Sequence, residues 1–209
     1  MTENKKYELT NETKKCGVYT LHRIRALKDF GDVKAGELGG WVESEHNLSQ
    51  EGDCWIYDDA RVFDGARVFG GATVRNVAIV GDVAKVYGRA TIRDNAIVCS
   101  YATVGGYATI GGYARVCGYA EVYDYATVYR NTDYAVVQGF GREQRVTTFY
   151  RLKDGDIGVA CGCFRGTIKQ FRDKVKETHG DSKYAREYLQ VADLMELHFG
   201  EETADEEKR

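Results

Sequence analysis

Alanine stands at every sixth position from Ala60 to Ala126, twelve hexads without a slip, and two residues after each comes valine or isoleucine, from Val62 through Ile92 and Ile110 to Val128. Two inward residues two apart, one small and one large, fit a short strand running into a sharp corner where only an alanine-sized group has room. The corner position agrees with this. Asp58, Asp64, Gly70, Asn76, Asp82, Gly88, Asp94, Ser100, Gly106, Gly112, Gly118 and Asp124 occupy it, residue types that tolerate a positive φ. Proline is absent, while glycine reaches 24 and tyrosine 15, an imbalance that suits a repetitive β architecture.

Three hexads close one triangular coil, so residues 18 apart stack at the strand spacing of roughly 4.8 Å. Looser hexads upstream (Val42/Ser44, Leu48/Gln50, Cys54/Ile56) add about one coil to the four strict ones, and the pattern frays at Thr132 and Tyr134. The expected fold is mainly β: a left-handed parallel β-helix of four to five coils over residues 41–138, behind an N-terminal β cap at 1–40 that guards the open coil edge against end-to-end pairing. A small ββαα module is expected at 139–200. Its hairpin turns at Lys153-Asp154-Gly155-Asp156, Thr167 and Gln170 form a capping box for the first helix, and Gly180 ends it. Ser182 caps the second helix, with Tyr184, Tyr188, Val191, Met195 and His198 along one side. Residues 201–209 read as a disordered acidic tail.

The 29 basic and 32 acidic residues leave a net charge of −3, with no bulk attraction to nucleic acid or membrane; neither partner is expected. The polar start of the chain and the lack of any long apolar run point to a soluble, cytoplasmic protein. Six cysteines without C-x-x-C pairs read as free thiols. Cys99 and Cys117 should be stacked neighbours, but parallel side-chain vectors and a reducing cytosol argue against a disulfide there.

The 18-residue rule sorts outward residues onto three faces. On the first, Trp55, Thr73, Thr91, Thr109 and Thr127 form a column beside Tyr57, Arg75, Arg93, Gly111 and Tyr129. It reads either as a solvated threonine ladder or as a recognition strip, in which Arg75 and Arg93, with Tyr57, Tyr129, Thr91 and Thr109, hold a small anionic ligand or an acidic protein surface. On the second face Phe63, Ile79, Ile97, Cys99 and Cys117 make an apolar strip. A homo-oligomer, a trimer by preference, would cover it; a terminal module of the same chain is the alternative. Charges and aromatics mix on the third face, and corner tyrosines 101 and 119, and 107 and 125, should stack in pairs.

Repeats such as Asp59-Ala60-Arg61-Val62-Phe63-Asp64-Gly65-Ala66-Arg67-Val68, with the lead-in Leu38-Gly39-Gly40-Trp41-Val42-Glu43-Ser44-Glu45 and then Asn47-Leu48-Ser49-Gln50 and Cys54-Trp55-Ile56-Tyr57-Asp58, resemble hexapeptide-repeat proteins of bacteria, prophages and phages. The segment Cys161-Gly162-Cys163-Phe164-Arg165-Gly166-Thr167 resembles a small module of phage proteins. That resemblance implies the fold and a phage-type accessory role, and supplies no catalytic residues.

Hexapeptide acyltransferases share the repeat pattern and use a histidine near an intersubunit cleft. Here His22, His46, His179 and His198 all fall outside the strict coils. No converging histidines suggest a metal, Cys161 and Cys163 read as structural cysteines, and no phosphate loop or nucleophile triad is apparent. The expectation is therefore a non-enzymatic binding protein without cofactor or metal, one that counteracts host defence by binding a defence protein or sequestering a nucleotide signal. An acyltransferase-like enzyme and a purely structural protein are the alternatives.

Overall fold

Each hexad holds its shape through its corner. In the computed structural model, which describes residues 5–200, all twelve corner positions have φ between 54° and 71°, the left-handed region that Gly, Asn and Asp enter most readily. Several corners also bond to one another. The carboxylate or amide oxygens of Asp58, Asn76 and Asp94 accept the backbone N–H of the corner residue one coil on, at 2.8, 3.2 and 2.9 Å.

The chain opens with a hairpin, β1 (Tyr7–Cys16) and β2 (Tyr19–Ala26), which pairs antiparallel onto β3 (Leu38–Val42). The two-residue strands β4 to β16, from Trp55–Ile56 to Thr127–Val128, then wind a β-solenoid of three parallel sheets. With β3 on one face and a Leu48–Val68 bridge on another, it makes about five turns. Stacked partners lie 18 residues apart, as in Thr73, Thr91, Thr109 and Thr127. The alanine column and its Val/Ile partners form one fully buried core.

At the C-terminal end, β17 (Tyr134–Val137), β18 (Thr147–Arg151), β19 (Ile157–Cys161) and β20 (Phe164–Thr167) form an antiparallel sheet, followed by α1 (Ile168–His179) and α2 (Lys183–Phe199). Neighbouring residues of β18 face opposite ways: Tyr150 packs into the solenoid core and Phe149 into a second core with the helices. The Thr167–Gln170 capping box, the positive φ of Gly180 and the Ser182 cap are present as expected. The packed stripe of α2 differs in part. Ala185, Tyr188, Val191, Ala192, Met195 and Phe199 are buried, whereas Tyr184 and His198 are exposed. The acidic tail lies outside the described residues, and no helix among them is long and apolar enough to cross a membrane.

Three outward residues depart from expectation. Trp55 begins the threonine column yet is fully buried, because Tyr7 and Phe30 of the N-terminal segment meet its ring edge-on at 6.2 and 5.3 Å. Cys99 and Cys117, expected as free thiols, form a disulfide. Direct stacking puts their Cα atoms 4.8 Å apart, within the range a disulfide spans, so the parallel side-chain vectors did not keep the sulfurs apart. The apolar strip is also partly covered by its own chain: Tyr19 of the hairpin lies 4.9 Å from the Phe63 ring, while Ile79 and Ile97 stay half-exposed.

Two outcomes test this packing. Ala90→Leu or Ala108→Leu should cost about 1–3 kcal/mol or more by overpacking a corner, and Thr91→Ala or Thr109→Ala much less, as read by chemical denaturation. Thr148→Val should cost about 1–3 kcal/mol, because it leaves the Glu121 N–H, now bonded to Thr148 Oγ1 at 3.0 Å, without an acceptor.

Candidate functional site

The first face carries a groove of about 750 Å³, lined by Arg75, Asn76, Thr91, Arg93, Tyr107, Thr109, Tyr125, Thr127, Tyr129 and Lys153, within the usual size of ligand sites. Its floor is the threonine column, in which Thr73 and Thr91 hydroxyls lie 3.3 Å apart. Tyr107 and Tyr125 stack at 5.1 Å along one corner, as do Tyr101 and Tyr119 at 4.9 Å. Lys153 enters from the turn after β18, whose backbone N–H donates to Tyr125 O at 3.0 Å.

Arg75 and Arg93 both line this groove, but each is turned onto a different tyrosine. Arg75 lies over the Tyr57 ring, one coil towards the N-terminus, at 4.7 Å. Arg93 reaches two coils the other way, over the Tyr129 ring at 5.4 Å, and donates Nη2 to the Tyr129 hydroxyl at 2.7 Å. That hydrogen bond raises the Arg93 pKa above its ordinary value. Gly111 permits the arrangement, since a methyl there would stand 2.8 Å from the Tyr129 ring. Arg75 Nε is buried with no protein hydrogen-bond partner among the described residues. The arginines are thus placed to meet two separated anionic groups, rather than to close on one. Tyr57 lies outside the groove lining and acts on it through Arg75.

A second cavity, of about 390 Å³, lies between the C-terminal sheet and the helices and gathers His179, Cys161, Cys163, Tyr188, Arg142 and Arg145 over a floor of Phe164, Phe171 and Val175. Thr147 Oγ1 lies 3.2 Å from Cys161 Sγ, and the Tyr188 hydroxyl 4.0 Å from it. Burial is the first cause that pushes the Tyr188 phenol up to about 12, so it stays a neutral donor near pH 7. The His179 ring sits 5.9 Å from that of Tyr188. No sequence pattern marks this cleft, because its residues come from four separate segments that meet only when the sheet and helices pack.

The other histidines are placed apart. His22 lies on β2 with Nδ1 3.4 Å from Thr10 O, His46 is exposed in the first coil, and His198 is exposed on α2. No group of three or more metal-ligating side chains occurs among the described residues.

No family model matches the chain. A 38-residue segment, 18% of the chain, is 58% identical to the uncharacterized acetyltransferase YdcK of Escherichia coli strain K12, and spans 12% of that protein's length. The match fits the hexapeptide-repeat solenoid and carries nothing about a phage origin. It overturns the expectation of a non-enzymatic protein acting against host defence, which had rested on the scarcity of histidines in the coils and on an analogy with phage proteins; the likeness is instead to a protein named for acyl transfer.

Proposed function

We propose that this chain is an acyltransferase-like enzyme built on hexapeptide-repeat coils, and that the groove on its first face holds the anionic part of an activated acyl donor. The observation that carries the reading is the 58% identity over 38 residues to a protein named as an acetyltransferase. The groove's chemistry supports it. Arg75, Arg93 and Lys153 supply three cations, and guanidinium groups bind phosphate oxygens through paired, charge-assisted hydrogen bonds.

Acyl transfer also needs a base to take the acceptor's proton, and His179 lines the cleft between the C-terminal sheet and the helices. Lys153 lies in the turn that leads into β19 and Cys161 ends that strand, so groove and cleft stand on the order of 15 Å apart at the usual strand rise. A single copy does not bring both to one reacting centre. The proposal therefore includes a homo-oligomer, a trimer by preference, packed along the half-exposed strip at Ile79 and Ile97.

Release of free thiol from acetyl-coenzyme A, measured with a panel of small amine and alcohol acceptors, tests the reaction. Turnover should appear with at least one acceptor, and Arg75→Ala with Arg93→Ala should lower kcat/KM by about tenfold or more at an unchanged melting temperature, the loss expected for about 1.5–3 kcal/mol per charged hydrogen bond. His179→Ala should lower kcat. No thiol release with any acceptor would overturn the reading; full activity in the double-arginine variant would remove the groove from it.

The assembly has its own test. The wild-type chain should sediment as an oligomer, and Ile79→Glu with Ile97→Glu should give monomers that keep the β signal in circular dichroism. A wild-type monomer at micromolar concentration refutes the assembly.

A further inference from the structure

Lys6 is 1% exposed, an unusual place for an ammonium group. Its Nζ donates to the carbonyl oxygens of Cys54 at 2.9 Å and Gly52 at 3.1 Å, and lies 3.2 Å from Cys54 Sγ. Cys54 is itself fully buried and is not part of a disulfide. The Phe30 ring stands 5.0 Å from the same Nζ. Burial is the first cause lowering the Lys6 pKa and raising that of Cys54, which favours the neutral amine, the form that is nucleophilic. A cavity of about 490 Å³ borders Lys6, Phe30, Gln50 and Gly52, so solvent comes as far as the lysine, with Cys54 directly behind it.

We propose that Lys6 and Cys54 are a covalent modification site, at which oxidation by a peroxide links Nζ to Sγ and ties the start of β1 to the first coil. In the first step the Cys54 thiol passes its proton to Lys6 Nζ at 3.2 Å, the thiolate attacks hydrogen peroxide and its O–O bond breaks, and the hydroxide released takes the proton back from Nζ as water, leaving a sulfenic acid beside a neutral amine. A sulfenic acid condenses with a neighbouring thiol or nitrogen nucleophile, and here the nitrogen at 3.2 Å is the Lys6 amine. Its lone pair attacks sulfur, the S–O bond breaks, hydroxide leaves and takes one amine proton, and the products are an S–N bond and a second water. One peroxide is reduced and the sulfur loses two electrons, so the balance closes. The link is opened by a dithiol, which returns amine and thiol.

The test is peptide mass spectrometry of the full chain, fully reduced, then treated with hydrogen peroxide and digested without reductant. The expected result is a linked peptide pair joining Lys6 to Cys54, two hydrogens lighter than the sum of its parts. It should disappear after dithiothreitol and be absent in Cys54→Ser and in Lys6→Arg, which keeps the charge and donors. On oxidation the wild type should gain more in melting temperature over its reduced form than Cys54→Ser gains, because the Cys99–Cys117 disulfide re-forms in both. If Cys54 stays a thiol, or goes to sulfinic acid with no linked peptide while the exposed Cys163 oxidises, the site is refuted.

Discussion

The hydrogen-bond ladder of this solenoid has a direction, and much of the remaining structure answers to it. In each coil the N–H groups on either side of the large inward residue donate to carbonyls of the next, as Trp41 does to Ala60 and Ile79 to Ala96, both at 2.9 Å. The first coil is therefore left with unpaired carbonyls and the last with unpaired N–H groups, each costly to bury alone. The two ends are capped by opposite chemistry. At the N-terminal end donors cover the carbonyls: Lys6 Nζ on Gly52 and Cys54, and the Tyr7 hydroxyl on Leu48 at 2.7 Å. At the C-terminal end acceptors cover the amides, with Asn131 Oδ1 taking the Arg115 N–H at 2.8 Å and Thr148 Oγ1 that of Glu121 at 3.0 Å. A buried lysine beside a thiol is thus explained by its place at the carbonyl end before any reactivity is asked of it.

Local periodicity made the coils legible. Every corner residue named from the hexad pattern has the left-handed φ it was expected to have, and tyrosines 107 and 125 stack as the 18-residue rule required, because both properties depend only on spacing within the repeat. The burial of Trp55 was not legible, since its cover comes from Tyr7 and Phe30 in a segment with no repeat. The fraying at Thr132 and Tyr134 marked something more definite than an end: Tyr134–Val137 leaves the coil to become β17 and pairs with β18. For Cys99 and Cys117 the register was right and the chemistry wrong, because the inference leaned on the cell compartment instead of on the 4.8 Å between Cα atoms that the register itself imposes.

Outward glycines shape the faces as much as the side chains do. Phe63 lies over Gly81, the rings of Tyr87 and Tyr123 close over Gly105, and Tyr129 lies over Gly111. In each case a missing Cβ lets an aromatic ring from an adjacent coil fold down onto the sheet. A stack of identical coils would otherwise hold neighbouring side chains parallel at the strand spacing; the glycines break that rule at chosen places.

The consequence reaches the groove. Had residue 111 carried a side chain, Tyr129 would stand away from the face and Arg93 would lose the hydroxyl that holds it. Arg75 is drawn the opposite way by Tyr57, so the two guanidinium groups diverge over the hydroxyls of the threonine column. Two divergent cations separated by neutral donors are poorly matched to one phosphate or carboxylate, where convergence would be needed for a bidentate grip. They suit an extended ligand with anionic groups spaced along the coil axis, and Lys153 at the groove wall lengthens that path. Under the acyl-donor reading the groove would then recognise the length of the donor's anionic portion, and its selectivity among anions would come from the tyrosines that set the direction of each arginine.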